Sequence, residues 1–199
     1  MTISRRNVAG LVAAAMLVGA AASGCGSDKS SSRPGSSGSP TAPSPTGAPL
    51  GDYSNLLIKV TDIGPDYTAA QPPTMNPNGT AGVAQLFATA DNSRRIGDTI
   101  VIAVDAAAAA AGLENSKKNY LDKAVVGGSW QPVDVGSNGT ILAGTSPDNS
   151  QAVTVLFFTE GKALVDLEFD SAPGDPIDQN VVLDIGRKQD AAVKAGLPS

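Results

Sequence analysis

Three carboxylate side chains near the end of the chain are the clearest candidates for chemistry. Asp166, Glu168 and Asp170 occupy every second position of the segment 163–171, so they project from one face of a predicted strand. Carboxyl groups held side by side can exchange protons with a substrate or bind calcium. The residues between them are apolar, as in a strand with one buried and one wet side. We therefore interpret the three carboxylates as a solvated strand face and identify no catalytic residue.

Histidine is absent from the sequence and cysteine occurs once, which excludes several classes of site. A chain whose single cysteine is Cys25 has no internal disulfide, and it lacks the thiolates and imidazoles of a zinc site. It also lacks the base of a Ser-His-Asp triad. We therefore expect no metal, no cofactor and no enzymatic activity.

Trp130 is the single tryptophan and follows the pair Gly127-Gly128. We expect it to close the edge of a hydrophobic core rather than to line a ligand pocket. No lysine with P-loop spacing follows these glycines, so the segment is not interpreted as a phosphate-binding loop.

The chain is acidic, with 14 Lys and Arg against 19 Asp and Glu and a formal net charge of −5. Removal of Arg5 and Arg6 with a cleaved leader makes the charge −7. An acidic protein repels phosphate backbones and anionic lipid headgroups. We therefore expect no nucleic-acid partner.

Residues 1–24 have the pattern of an export signal. Arg5 and Arg6 form a positive start, and residues 8–22 are then only Val, Ala, Gly, Leu and Met. As a helix this run would be about 22 Å long, shorter than the ~30 Å hydrocarbon core of a bilayer. It fits a cleavable signal peptide better than a permanent span. Ser4-Arg5-Arg6 leaves both Sec and twin-arginine export open.

Ala22-Ser23-Gly24-Cys25 resembles a bacterial lipobox, in which the cysteine receives a diacylglyceryl group before the leader is cut. Ser23 and Gly24 match that pattern, whereas Ala22 stands where leucine is usual. Ordinary signal peptidase could instead cut after Ala22 and leave a free thiol. The resemblance implies that Cys25 is lipidated, and two acyl chains suffice for stable membrane attachment.

Residues 26–50 are rich in serine, glycine and proline and contain almost nothing that could build a core. Such a segment cannot offset its ordering entropy, so we expect a disordered spacer. The predicted organisation is a signal peptide at 1–24, an acylated cysteine with a disordered stalk at 25–50, and one globular domain at 51–199.

The first half of that domain predicts a hairpin and a helix. Two β-rich runs, 83–89 and 96–104, are separated by polar residues and predict the hairpin. Asp105 then precedes six alanines and predicts the N-cap of a helix that ends at Gly127-Gly128. The earlier segment 52–63 is interpreted as a short helix or turn, and the proline-rich stretch after it as a loop.

The second half predicts a four-stranded meander, at 131–135, 140–145, 151–159 and 163–171. Asn138-Gly139 is a strong hairpin signal between the first two strands. The third strand is apolar on both faces, so it should be central and covered on both sides.

A final helix is predicted from Asp175, as N-cap, to Gly196, with Val181 and Ile185 on its apolar face. The carboxylates interpreted as helix-end charges are Asp175, Asp178 and Asp184. The expected fold is therefore α+β: an antiparallel sheet of about six strands, made of a hairpin plus a four-stranded meander, with two packed helices.

The segments LLIKVTDIGPDY, TVLFFTEGKALVDLEFDS and DIGRKQDAAVKAGLP resemble small cell-surface lipoproteins of mycobacteria and related actinobacteria. The quoted residues are turn and core residues, so the resemblance implies fold more than activity. Some members have PsbP-like domains. Others are similar to extracellular sensor domains of receptor kinases, which usually carry disulfides that this chain lacks. No functional residue is transferred from either group.

These observations favour a lipid-anchored protein on the extracytoplasmic face of the cell membrane. Its expected role is non-enzymatic binding of an envelope lipid, glycan or protein. A hydrolase that uses carboxylates alone is the first alternative, and it requires two carboxyl groups about 5–10 Å apart in a cleft. A structural envelope spacer is the second alternative, and it predicts no pocket.

Overall fold

The residues that the structure describes form eight antiparallel strands and three α-helices, with two short 3-10 helices and loops between them. This computed structural model describes residues 47–121 and 123–197. The predicted signal peptide, Cys25 and the stalk as far as residue 46 lie outside the described residues. The strands are β1 (Tyr67–Ala69), β2 (Thr74–Met75), β3 (Gly82–Thr89), β4 (Arg95–Ile102), β5 (Gln131–Pro132), β6 (Ser137–Thr145), β7 (Ala152–Glu160) and β8 (Ala163–Ser171). The helices are α1 (Val60–Ile63), α2 (Ala106–Tyr120) and α3 (Gln179–Gly196).

The strands form one open sheet in the order β1-β3-β4-β8-β7-β6-β5, with β2 also paired to β3. The α+β class, the hairpin β3–β4 and the meander β5 to β8 are confirmed. Hairpin and meander are joined by β4 and β8, which pair from Arg95 opposite Asp170 to Ile102 opposite Ala163. Strands β1 and β2 lie in the stretch that the sequence predicted as a loop. They were not predicted because three and two residues are too few to show an alternating pattern.

Strand β7 lies between β6 and β8 and is covered on both faces, as its apolar sequence predicted. Phe157 and Phe158 are both 0% exposed and belong to different cores. Phe158 packs in the larger core beneath α3, with Val182, Ile185 and Val193 of that helix. Phe157 packs in the smaller core beneath α2.

Helix α2 begins as predicted and ends earlier than predicted. The Asp105 side chain accepts a hydrogen bond from the Ala108 backbone N–H at 2.7 Å, which caps the helix. The last helical residue is Tyr120, whereas the sequence had placed the end at Gly127. The chain turns at that point because the Tyr120 carbonyl accepts the N–H groups of the following segment, and Val126 then pairs with Thr145 of β6.

Helix α3 begins three residues later than the Asp175 cap would require. Asp178 is its N-cap and accepts from the Asn180 N–H at 2.7 Å. Asp175 instead forms an ion pair with Arg94 at 2.7 Å. Of the two residues predicted on its apolar face, Ile185 is buried, whereas Val181 is 46% exposed and its neighbour Val182 is buried instead.

Candidate functional site

The carboxylates of β8 are buried or half-buried, so their interpretation as a solvated strand face is wrong. Asp166 lies opposite Phe157 of β7, in the core beneath α2, and is 5% exposed. Glu168 and Asp170 follow at every second position on the same face and are partly buried. We call these three residues the β8 carboxyl row.

Asp166 has one hydrogen-bond donor for its two buried carboxyl oxygens. The Tyr120 hydroxyl donates to its Oδ2 at 2.8 Å, and Oδ1 has no partner among the described residues. Burial, reinforced by the charge of Glu168, raises the pKa of Asp166 to about 8, although the Tyr120 hydrogen bond opposes this shift. Asp166 therefore holds its proton under neutral conditions.

Glu168 and Asp170 continue the row toward solvent. Glu168 lies opposite Gly97 of β4, which offers no side chain to cover it, and burial followed by the charge of Asp170 raises the pKa of Glu168 to about 7. Asp170 pairs with Arg95 at 2.9 Å. Burial raises the pKa of Asp170 as well, and Arg95 opposes that shift.

Asp98 is a second buried carboxylate, on the opposite face of the sheet, and the sequence analysis did not identify it. It is 0% exposed and neither carboxyl oxygen has a hydrogen-bond partner among the described residues. Burial raises the pKa of Asp98 well above its usual value. The signal was present in the sequence, because Asp98 shares its strand face with Ile96 and Ile100, which belong to the core beneath α3.

Trp130 closes the edge of the core beneath α2, as predicted. Its ring stacks on Phe157 with centroids 5.2 Å apart and an interplanar angle of 20°. Its indole N–H donates to the Lys117 carbonyl of α2 at 3.3 Å. Tyr120 meets the same phenylalanine edge-on at 5.2 Å. These three rings therefore fix the end of α2 on the sheet.

Gln189 of α3 fixes residues 54–59, the segment before α1, over the face of the sheet that α3 covers. Its side chain is 0% exposed, accepts from the Ile58 N–H at 2.9 Å and donates to the Leu56 carbonyl at 2.7 Å. These bonds join α3 to a segment more than 130 residues earlier in the chain. They hold that segment beside β1 and β3, where a groove opens.

The groove has a volume of about 400 Å³ and is open to solvent. Most of its walls are apolar, and Gln85 of β3 is the buried polar residue among them. The Gln85 amide donates to the carbonyls of Gln71 and Leu86 at 2.6 and 3.1 Å, so these donors are not available to Asp98, its partner across the strand pair. The lining residues are Ser54, Asn55, Leu57, Ile58, Lys59, Val60, Ala69, Pro73, Gln85 and Phe87.

The β8 carboxyl row has the spacing of an acid and base pair, but one of its members is buried. Residues two apart on a strand are about 6.5 Å apart, which suits an acid and base pair. Asp166, however, is sealed by Tyr120 and Phe157, so it presents no oxygen to a substrate. Within the described ranges, no three Asp, Glu, His or Cys side chains are arranged to hold a metal ion.

Comparison with known proteins gives a fold. The sequence matches no protein-family model and no curated protein. Among solved structures, the chain is similar to the extracellular domain of PknH from Mycobacterium tuberculosis, with a TM-score of 0.50 and 13% sequence identity. The match covers 71% of this chain and 94% of the PknH domain. The two proteins share a fold.

That likeness confirms, at the level of the fold, the resemblance to mycobacterial extracellular domains. Across residues 47–121 and 123–197, no helix is long and apolar enough to cross a membrane. Cys25, the one predicted site residue with an assigned chemistry, lies outside these ranges, and its lipidation stays a prediction.

Proposed function

We propose that this chain is a lipid-anchored, extracytoplasmic binding or sensing module without enzymatic activity. The groove between the segment before α1 and β3 carries the proposal, because a concave, mostly apolar site with a few polar groups is the usual form of a small-molecule site. The fold shared with a mycobacterial extracellular domain supports the location. A structural spacer predicted no pocket, so the groove argues against that alternative.

The walls of the groove favour an amphiphilic ligand such as a fatty acid or lipid. Leu57, Ile58 and Phe87 provide apolar contact for a chain, and Lys59 places a cation beside it. The volume of about 400 Å³ falls within the range of roughly 300–1,000 Å³ that is typical of ligand sites. Of the ligand classes predicted from the sequence, this lining fits a lipid better than a glycan.

Binding of cis-parinaric acid, a fluorescent fatty acid, tests the groove. We expect saturable binding to the full chain. Leu57→Asp should weaken it at least tenfold, because a carboxylate in the apolar wall is costly to desolvate and repels the ligand headgroup. Val104→Asp is the matched control, since Val104 is an exposed valine that does not line the groove. Equal affinity in both variants, or no saturable binding, would contradict the proposal.

Intact-mass analysis of protein taken from its own envelope tests the anchor. We expect a chain that begins at Cys25 and carries acyl groups, and we expect Cys25→Ser to abolish both the added mass and the membrane association. A bare thiol, or a chain that begins at Ser23, would contradict lipidation. That result would leave the groove proposal standing.

A carboxylate-dependent hydrolase is the second candidate, favoured by the raised pKa values of Asp166 and Glu168 on one strand face. It requires that α2 move to admit a substrate. Turnover of 4-nitrophenyl glycosides by the wild-type chain, lost in Glu168→Gln and kept in Asp184→Asn, would support it. Asp184 is an exposed carboxylate on α3, which covers the opposite face of the sheet from the row.

A further inference from the structure

Helix α2 ends on a carboxyl group that water does not reach. Tyr120 is its last residue, and the Tyr120 hydroxyl donates to Asp166 Oδ2 at 2.8 Å. The second oxygen of Asp166 is buried without a partner among the described residues. The helix C-terminus also carries a partial negative charge, which disfavours an anion beside it. The contact between α2 and β8 therefore suits a neutral carboxyl group better than a carboxylate.

The surroundings of the β8 carboxyl row provide little positive charge. Arg95 of β4 is the cation that faces the row in the described part of the chain, and it is paired with Asp170 at the outer end. Lys117 of α2 is paired with Glu114 of the same helix. The residues opposite Asp166 and Glu168 on the neighbouring strands carry no charge; they are Gly97 and Thr99 of β4, and Val155 and Phe157 of β7. Tyr120 of α2, which donates to Asp166, is also uncharged.

We propose that α2 is a proton-dependent element, which stays docked on the sheet while Asp166 and Glu168 hold their protons and opens when they lose them. The proposal is independent of the groove, because groove and α2 lie on opposite faces of the sheet. The opening exposes the apolar side of β7 around Phe157, so a rise in pH increases the exposed apolar area of the domain.

The direction of the pH dependence follows from the two carboxyl groups. Their pKa values are about 8 for Asp166 and about 7 for Glu168 in the docked state, and both return to about 4 when α2 opens and water reaches them. A raised pKa in the docked state means that docking is fully stable below about pH 4 and weakens as the pH rises toward 8. Each group shifts the opening equilibrium by roughly tenfold per pH unit in that range.

Hydrogen exchange of the full chain at pH 5.5, 6.5 and 7.5 tests the proposal. After correction for the intrinsic effect of pH on exchange, we expect protection of the α2 segment 106–120 to fall by at least roughly tenfold per pH unit. The α3 segment 179–196 should stay better protected than α2 at every pH, since α2 opens without global unfolding. Trp130 provides a second signal, because it is the single tryptophan and loses its stack on Phe157 when α2 opens.

Variants separate this mechanism from general destabilisation. Asp166→Asn and Glu168→Gln cannot ionise, and together they should remove the pH dependence of α2 protection. Asp184→Asn, an exposed Asp-to-Asn change on α3, should leave it unchanged. Three results would each overturn the proposal. The first is wild-type protection of α2 that does not depend on pH, and the second is a double variant that keeps the wild-type slope. The third is equal protection of α2 and α3 at each pH. If the double variant does not fold, two wild-type measurements decide the question. They are the pH dependence of α2 protection and the difference in protection between α2 and α3.

Discussion

Helices α3 and α2 cover opposite faces of one sheet, and the two faces differ in the size of their cores and in their polar groups. The core beneath α3 includes residues from the segment before α1 and from strands across the sheet, with Asp98 as a buried carboxylate. The core beneath α2 has fewer buried apolar residues, and the β8 carboxyl row lies beside it. Asp98 has no donor among the described residues, whereas Asp166 has the Tyr120 hydroxyl.

This difference suggests that the two faces contribute differently to the free energy of unfolding and to its pH dependence. A large apolar core contributes most of the free energy of unfolding, because that energy scales roughly with the apolar area buried. A smaller core contributes less, and although each face has a buried carboxyl group with a raised pKa, ionisation of Asp166 and Glu168 acts on the smaller of the two energies. We therefore expect the α3 face to keep the domain folded and the α2 face to respond to conditions.

Replacement of Phe157 or Phe158 should give the largest change in the free energy of unfolding and tests whether the two cores are separate. They are neighbours in β7, both 0% exposed, and each belongs to one of the two cores. Replacement of either by alanine should lower the free energy of unfolding by about 3–5 kcal/mol, measured by urea titration with circular dichroism. Phe157→Ala should also shift the native Trp130 emission to longer wavelength, since their rings stack. An equal spectral shift in Phe158→Ala would contradict the separation of the cores.

The elements of this fold were largely predictable because their signals are local. All residues of the run Val153–Phe158 except Thr154 are apolar, so both faces of the strand are apolar. This pattern predicts a central strand without any knowledge of its neighbours in the sheet. Asp105 before an alanine run likewise predicts a helix start by local hydrogen bonding.

The candidate site was not predictable, because it depends on contacts between distant segments. An alternating pattern such as that of β8 shows that one face is polar, but not whether water or another element covers it. Asp166 is buried by Tyr120, which lies 46 residues earlier in the chain. The groove depends on Gln189 and Ile58, 131 residues apart.

Asp98 gives the next largest expected effect. Asp98→Leu should raise the free energy of unfolding by about 1–3 kcal/mol at pH 7, because it removes a buried polar group that no described residue pairs with. Asp98→Asn keeps the shape and cannot ionise. Since burial raises the pKa of Asp98, the wild type loses stability as the pH rises above about 4, and its deficit relative to Asp98→Asn should grow from pH 5 to pH 8. A deficit that shrinks over this range in urea titrations would show that Asp98 is stabilised as an anion.

Tyr120→Phe tests the hydrogen bond from α2 to Asp166 of the β8 carboxyl row. Loss of the hydroxyl leaves both oxygens of Asp166 without a donor, so we expect a loss of about 1 kcal/mol in the free energy of unfolding. Tyr53→Phe is the matched control, because the Tyr53 hydroxyl donates to the Pro49 carbonyl at an exposed position. It should change stability by less than about 0.5 kcal/mol. Equal losses in both variants would mean that the contact between Tyr120 and Asp166 contributes nothing specific.

A pair of glycines, one in each long helix, measures how closely the helices approach the sheet. A methyl group at Gly186 of α3 would overlap the buried Leu156 side chain and lie 3.2 Å from Val135, whereas at Gly112 of α2 it would lie 3.4 Å from Leu164, near ordinary contact distance. Alanine is favoured over glycine inside a helix by about 0.5–1 kcal/mol, so Gly112→Ala should raise the melting temperature. In Gly186→Ala the overlap should exceed that gain and lower it. Thermal unfolding followed by circular dichroism gives both signs, and two increases would show that α3 has room to shift as α2 does.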